Sequence, residues 1–287
     1  VTSGETGPLF SLILATVGRD NELKRFLHHL DRQTYQYFEL VVIDQNSDDR
    51  VTKILLPYLD RLAIVHLSSM RGVSKARNVG LRHSKGDIIA FPDDDCWYPP
   101  DLLESVVTFF EKRGVWDGLT GRIINEAGSI SGDARFDVSA GRVVLSNVWR
   151  RACAATLFLT KKTVTTVGFF DEELGPGAGT PWGGAEDIDY PARAIRAGCS
   201  VYYEPEICVF HPDSPADTST AGLARAYSYG AGIGRVWRKQ QFPARTIGYY
   251  LLRPLGGMCV SLAMGQWMRA RYRWAAFQGR WSGLLSR

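Results

Sequence analysis

The chain has 287 residues, of which 45% are hydrophobic and 22% charged. That balance describes a foldable chain, long enough for one large α/β domain or a domain with an appendage, and excludes a disordered or fibrous protein. The net charge of +4 hides a split: residues 218–287 hold 11 Lys+Arg and no Asp or Glu, while residues 1–217 carry a net −7, which suggests two jobs in one chain.

The apolar run Leu9–Ala15 predicts a buried first strand. In Asn21–Gln33, the residues Leu23, Phe26, Leu27 and Leu30 fall on one helical face, with Asp20 as N-cap. Phe38–Ile43 predicts a second strand ending at Asp44, followed by a short helix over Val51–Tyr58 and a third strand over Ala63–Leu67. Gly72–His83 predicts a helix carrying Arg77. Ile88–Phe91 predicts a fourth buried strand that runs straight into Asp93, Asp94 and Asp95. An amphipathic helix over Asp101–Arg113 follows. Strands alternating with helices predict parallel pairing through βαβ crossovers.

In such a sheet the carboxyl ends of neighbouring strands share one edge. Thr16, Asp44 and the acidic triplet are therefore expected to line one nucleotide crevice, with Arg77 adding positive charge. Three adjacent carboxylates repel one another unless a cation or donor groups neutralise them. Mg²⁺ and Mn²⁺ do this well, because they prefer oxygen ligands and keep positions for substrate phosphates. The triplet thus predicts a metal–diphosphate site.

Gly118–Asn125 predicts a strand, Asn125–Arg151 an irregular loop that includes Gly132, and Ala154–Leu159 another strand. The loop after Phe169 holds Gly175, Gly177, Gly179, Gly183 and Gly184, a density that marks mobile or closely approached backbone. It carries Trp182, whose aromatic face suits the apolar face of a pyranose. It leads into Glu186, Asp187 and Asp189, at the start of a helix that Gly198 ends. Ser200–Tyr203 and Cys208–Phe210 predict short strands ending at His211, and a neutral imidazole suits a metal such as Mn²⁺.

The first half resembles the family 2 glycosyltransferases of the GT-A fold, of the bacterial polysaccharide and glycolipid type. The resemblance rests on Ala15-Thr16-Val17-Gly18-Arg19, Val41–Asp49, Gly72–Gly80 and Gly86–Asp95, in that order and spacing. It covers roughly residues 8–211. Thr16 keeps the middle position of the family's Pro-Thr-Tyr pattern, from which Ala15 and Val17 depart. The resemblance implies an α/β, GT-A fold: a single Rossmann-like, mostly parallel sheet flanked by helices. It implies an inverting transfer from a nucleotide-diphosphate sugar to a saccharide or lipid-linked glycan. The residue matching Asp44 recognises the base, and the triplet holds ribose and metal. Asp93 and Asp94 are expected at the nucleotide, and Asp93 and Asp95 at the metal with His211; the division among the three stays open. The Glu-Asp pair followed by another Asp is the acceptor-site motif. It makes Asp187 the general base, Glu186 an acceptor-binding residue and Asp189 a supporting one.

The expected division is a transferase domain over 1–217, with a nucleotide half at about 8–117 and an acceptor half at about 118–217, and a C-terminal helical basic appendage over 218–287. In the appendage 15 uncharged residues separate Arg253 from Arg269, short of the ~18–20 that cross a bilayer, and Pro254, Gly256 and Gly257 interrupt them. Arg269, Arg271 and Arg273 interleave with Tyr272 and Trp274. Such a segment suits an anionic membrane surface, and no nucleic acid is expected. Five scattered cysteines without a C-x-x-C pair fit a reducing compartment, and no secretory signal opens the sequence. The expected location is cytoplasmic, peripheral on the inner face of the cell membrane. Two rival functions are a sugar nucleotidyltransferase, disfavoured by the single glycine in Ala15–Arg19, and a non-catalytic membrane-bound nucleotide-sugar-binding scaffold, disfavoured by the intact acidic residues.

Overall fold

A computed structural model of the chain describes residues 7–131, 135–213 and 217–286. Gly132 and Arg287 therefore lie outside the described residues. The chain divides into two units, one of Val1–Arg71, Lys75–Phe169 and Ala194–Asp213, the other of Gly72–Ser74, Phe170–Arg193 and Ser214–Arg287.

The first unit is built on β1 (Phe10–Thr16), β2 (Phe38–Asp44), β3 (Ala63–Ser68), β4 (Ile88–Ala90), β5 (Gly118–Ile124), β6 (Gly141–Arg142), β7 (Phe158–Thr160) and β8 (Val201–Phe210). They form one sheet in the order β3-β2-β1-β4-β7-β5-β8-β6. β1 to β4 pair in parallel, as do β5 and β8, while β7 runs antiparallel to both β4 and β5. The sheet is flanked by α1 (Asn21–Leu30), α2 (Arg50–Leu55), α3 (Val73–His83) and α4 (Leu102–Lys112). Leu23, Phe26, Leu27 and Leu30 of α1 pack with Phe10, Leu12 and Leu14 of β1 in the core. All seven residues of β2 are buried, the apolar residues 40–43 as a central parallel strand requires, and Glu39 while accepting from Ser11 Oγ at 2.5 Å.

Register sets the functional edge. Thr16 pairs with Asp44, and Asp44 with Ser68. Beyond the end of β4, Asp93 still bridges Ala15 in parallel. The ends of β1 and β2 and the start of the triplet therefore stand side by side.

Two expected elements take another form. Ala154–Thr156 is a 3-10 turn, and the strand starts only at Phe158. Thr160 then caps a helix the sequence reading did not anticipate, α5 (Lys161–Val167), by accepting from the Thr163 amide at 3.3 Å. The two short strands expected around Pro205 are one ten-residue strand, β8. Its register against β5 shifts between Thr120 and Arg122. Gly121 sits at the shift, where an added Cβ would lie 1.9 Å from the Ile207 carbonyl oxygen.

The second unit contains the start of α6 (Glu186–Arg196), together with α7 (Thr220–Lys239), α8 (Ala244–Ala263) and α9 (Trp267–Leu285). Ser219 caps α7 by accepting from the Gly222 amide at 3.1 Å. α7 and α9 meet backbone to backbone: a Cβ on Gly279 or Gly283 would lie 2.0 or 1.9 Å from the carbonyl oxygens of Tyr227 and Ala231. Among the described residues, no helix is long and apolar enough to cross a membrane.

Candidate active site

In the first unit, Asp44 is 5% exposed at the end of β2. Its Oδ1 accepts from both the amide and the side-chain nitrogen of Asn46, each at 2.8 Å, and its Oδ2 lies 3.3 Å from His66 Nε2. Asn46 in turn accepts from the Gly18 amide at 2.8 Å, which ties the loop after β2 to the loop after β1. Thr16 is buried beside this pair.

Each carboxylate of the triplet meets a cationic group or a polar neighbour. Arg77, 2% exposed on α3, donates from Nη2 to Asp93 Oδ1 at 2.9 Å. Arg19 pairs with Asp95 and lies 3.4 Å from Asp94 Oδ1. Burial pushes the Asp94 carboxyl up to about 6, against the pull of Arg19 and of the Thr16 hydroxyl. Trp97 and Phe210 exchange backbone hydrogen bonds at 3.0 Å each way and stack their rings 5.5 Å apart. That pairing fastens the segment carrying Asp95 to the strand end carrying His211. Arg25 of α1 covers it, with its guanidinium 3.9 Å from the Trp97 ring centre and Nη2 donating to the Asp95 carbonyl at 3.2 Å.

The donor set fits a divalent cation. His211 Nδ1 lies 2.6 Å from the Pro212 carbonyl oxygen, which can only accept, so the ring proton sits on Nδ1. In the neutral imidazole Nε2 keeps its lone pair, and it faces Asp95 Oδ1 at 3.6 Å. A histidine whose second nitrogen donates to a carbonyl is the usual setting of a metal ligand. Asp95, Cys96 and His211 bring possible ligand atoms within 4.8 Å of one another. Burial, and then the charges of Asp93 and Asp95, push the Cys96 thiol well above its ordinary pKa, and a soft sulfur suits Mn²⁺ or Mg²⁺ less well than carboxylate oxygen. Asp93, expected at the nucleotide and the metal, accepts from Arg77 through Oδ1.

In the second unit, the glycine-rich loop is held on α7. The Gly183 amide donates to Ser228 Oγ at 3.0 Å, and that hydroxyl donates to the Pro181 carbonyl at 3.0 Å. Arg235 lies 4.3 Å from the Trp182 ring centre. Ala185 follows with φ +70°, a left-handed conformation that costs a residue with a Cβ about 1–2 kcal/mol. Its carbonyl accepts from the amides of Ile188 and Asp189 at 3.2 and 2.9 Å, which starts α6. Glu186 is buried and Asp187 half-buried in that first turn, where the helix dipole favours negative charge. Asp189 is 1% exposed and accepts from Arg193 Nε and Gln240 Nε2, both at 2.8 Å. Tyr229 of α7 lies beside Gly184, and its phenol is raised by burial and then by the charge of Glu186, with Asp187 adding to it.

The sequence model of glycosyl transferase family 2 matches residues 11–161, just over half of the chain. The chain belongs to glycosyl transferase family 2. This glycosyltransferase is 27% identical over 251 residues to glycosyltransferase AglE of Haloferax volcanii, covering 84% of this chain and 78% of that protein. It is 28% identical over 165 residues to a PGL/p-HBAD biosynthesis glycosyltransferase of Mycobacterium tuberculosis, covering 56% of this chain and 62% of that one. Among solved structures, the mannosyltransferase PcManGT from Pyrobaculum calidifontis, in complex with GDP-Man and Mn²⁺, matches with a TM-score of 0.67 at 15% identity, over 96% of this chain and 88% of that chain. S. aureus TarS 1–349 in complex with UDP-GlcNAc matches with a TM-score of 0.62 at 17% identity, over 94% of this chain and 92% of that chain. A longer TarS structure is covered over 54% of its chain. At these identities the structures show the GT-A fold.

Four residues near the glycosyltransferase's expected site had no role in the sequence reading. Arg19 stood inside a quoted motif, with no sign that it would turn toward the triplet. His66 reaches Asp44 only because β2 and β3 pair in register, Val42 opposite His66. Arg25 and Tyr229 lie on helices whose register against the site no local pattern announces.

Proposed function

We propose that this glycosyltransferase is inverting and metal-assisted, and moves a sugar from a nucleotide-diphosphate sugar to a hydroxyl of a saccharide or lipid-linked glycan. The observation that carries the reading is the facing pair Asp95 Oδ1 and His211 Nε2, 3.6 Å apart with the other histidine nitrogen already engaged. Those two residues would hold Mn²⁺ or Mg²⁺, and the ion when bound supplies positive charge against the diphosphate leaving group. Asp44 reads the base, Thr16 lies beside it, and Asp93 and Asp94 take the ribose side, with Arg77 fixing Asp93. Asp187 accepts the proton of the incoming hydroxyl, and a single base with direct displacement gives inversion. Trp182 and Glu186 take the acceptor. Nucleotide sugars bound by TarS and PcManGT support the donor class.

The division at residue 217 is proposed as one of work: residues 1–217 supply the transfer chemistry, and 218–287 supply attachment to the anionic inner face of the cell membrane. Release of nucleoside diphosphate from UDP-, dTDP- and GDP-sugars, with and without Mn²⁺, tests the central claim. One donor should be turned over and the turnover lost in chelator. Full activity in excess chelator would remove the metal, and no release from any donor would remove the donor class.

A further inference from the structure

All eight tryptophans of the chain lie in described residues, and three of them are exposed: Trp267, Trp274 and Trp281, at 68%, 43% and 49%. They stand seven residues apart on α9. Two turns of helix separate each from the next, so they form a row with members about 10 Å apart. Arg271, Gln278 and Leu285 fall in the same row and are also exposed. The row lies two residues, or about 200° around the helix, from Gly279 and Gly283, the positions that pack on α7. One side of α9 is thus closed by backbone contact, and the opposite side presents aromatic rings to the outside of the unit.

We propose that this tryptophan row is the surface that enters the headgroup layer of an anionic bilayer; the proposal rests on the peripheral-membrane reading above and names the face that performs it. Tryptophan suits that layer because its ring is largely apolar while its N–H still finds a polar partner. Exposed apolar rings in a line also suit a second copy of the chain. Charge decides between the two. Arg245, Arg269 and Arg271 are exposed on α8 and α9, and residues 218–287 contain no acidic side chain to receive them. Pairing two such surfaces would bring like charges together across a desolvated contact, whereas anionic headgroups neutralise them. On α8, Tyr249, Leu252 and Val260 are exposed at 59%, 60% and 59% and follow helical spacing, which adds apolar surface in the same unit.

The test uses the full chain, vesicles of phosphatidylcholine with and without phosphatidylglycerol, and the triple variant Trp267→Ser, Trp274→Ser, Trp281→Ser. Wild type should bind the phosphatidylglycerol vesicles, and the variant should bind them at least about tenfold more weakly with an unchanged melting temperature. Brominated acyl chains should quench the wild-type fluorescence, a readout that needs no variant, since the other five tryptophans are buried or half-buried. Equal binding by variant and wild type, or no quenching of bound wild type, overturns the tryptophan row and leaves the membrane reading standing. No binding of wild type to anionic vesicles at low salt overturns both. A wild-type dimer that the variant converts to monomer, with neither binding vesicles, assigns the row to self-association and overturns the proposal.

Discussion

Both units carry a cluster of carboxylates, and the two are counterbalanced in opposite ways. At the sheet edge, Asp93 and Asp95 each meet an arginine, with Arg19 also near Asp94, and Asp95 faces Nε2 of His211. These groups stand at strand ends, where backbone register sets their spacing. At the start of α6, Asp189 is buried and accepts from Arg193 and Gln240, while Asp187, two residues earlier, is half-buried in the first turn. The first cluster gathers its carboxylates around two arginines and a histidine. The second locks one carboxylate in place and presents another at a helix start. The same residue type thus stands in two kinds of surroundings, one set by strand ends and one by a helix start.

Removing Asp95 gives the largest effect and tests the first half of that contrast. Asp95→Ala should lose Mn²⁺ binding and transfer together. Mn²⁺ titration of the apoprotein followed by turnover measures both, and a variant that still binds Mn²⁺ like wild type would show that the cation site lies elsewhere.

Asp187→Asn should act on rate alone. The amide cannot accept the proton, so kcat should fall by about 10²–10⁴ while Mn²⁺ and donor affinities stay near wild type. A loss below about tenfold would move the base to another residue.

Asp189→Leu should act on stability. It leaves the Arg193 guanidinium and the Gln240 amide facing an apolar side chain, and removing one member of a buried pair costs about 3–5 kcal/mol. Asp187→Asn removes a charge that the helix dipole favours and should cost about 0.3–1 kcal/mol. Denaturant unfolding of the two variants compares them directly. Similar destabilisation by both would erase the distinction drawn between them.

The first four strands were legible because each is a short apolar run closed by polar residues, and parallel order then places their ends on one edge. That logic predicted Thr16, Asp44 and Asp93 side by side, and the register bears it out. It could not divide the triplet. Which carboxylate meets Arg77 and which meets Arg19 depends on side-chain directions set by α3 and the loop after β1, not on spacing along the chain. The second half was harder for a different reason. Ser200–Tyr203 and Cys208–Phe210 read as two strands, yet β8 is continuous, and Gly121 on β5 leaves room for the Ile207 carbonyl where the register shifts. The basic tail reads as an appendage from its charge, and what charge does not announce is that α7 within it holds the loop of Trp182 through Ser228. Composition reports the surface of a helix and says nothing of what its small residues admit.

Arg19→Ala is the smallest change and the finest test of the sheet-edge cluster. Arg19 pairs with Asp95 and approaches Asp94, so it stands where a bound cation would compete for the same oxygens. Its removal frees a ligand and also takes a positive charge away from the site, and both effects favour metal entry. Because 40% of the Arg19 side chain is open to solvent, the pair is screened and worth about 0.2–1 kcal/mol. The expected gain in Mn²⁺ affinity is therefore about 1.5- to fivefold. Electron paramagnetic resonance of free Mn²⁺ measures it without donor, acceptor or turnover. The same variant should bind the diphosphate donor more weakly, since an arginine displaced from Asp95 becomes a partner for phosphate. Unchanged or weakened Mn²⁺ affinity would mean that Arg19 holds Asp95 in position for the metal instead of competing with it.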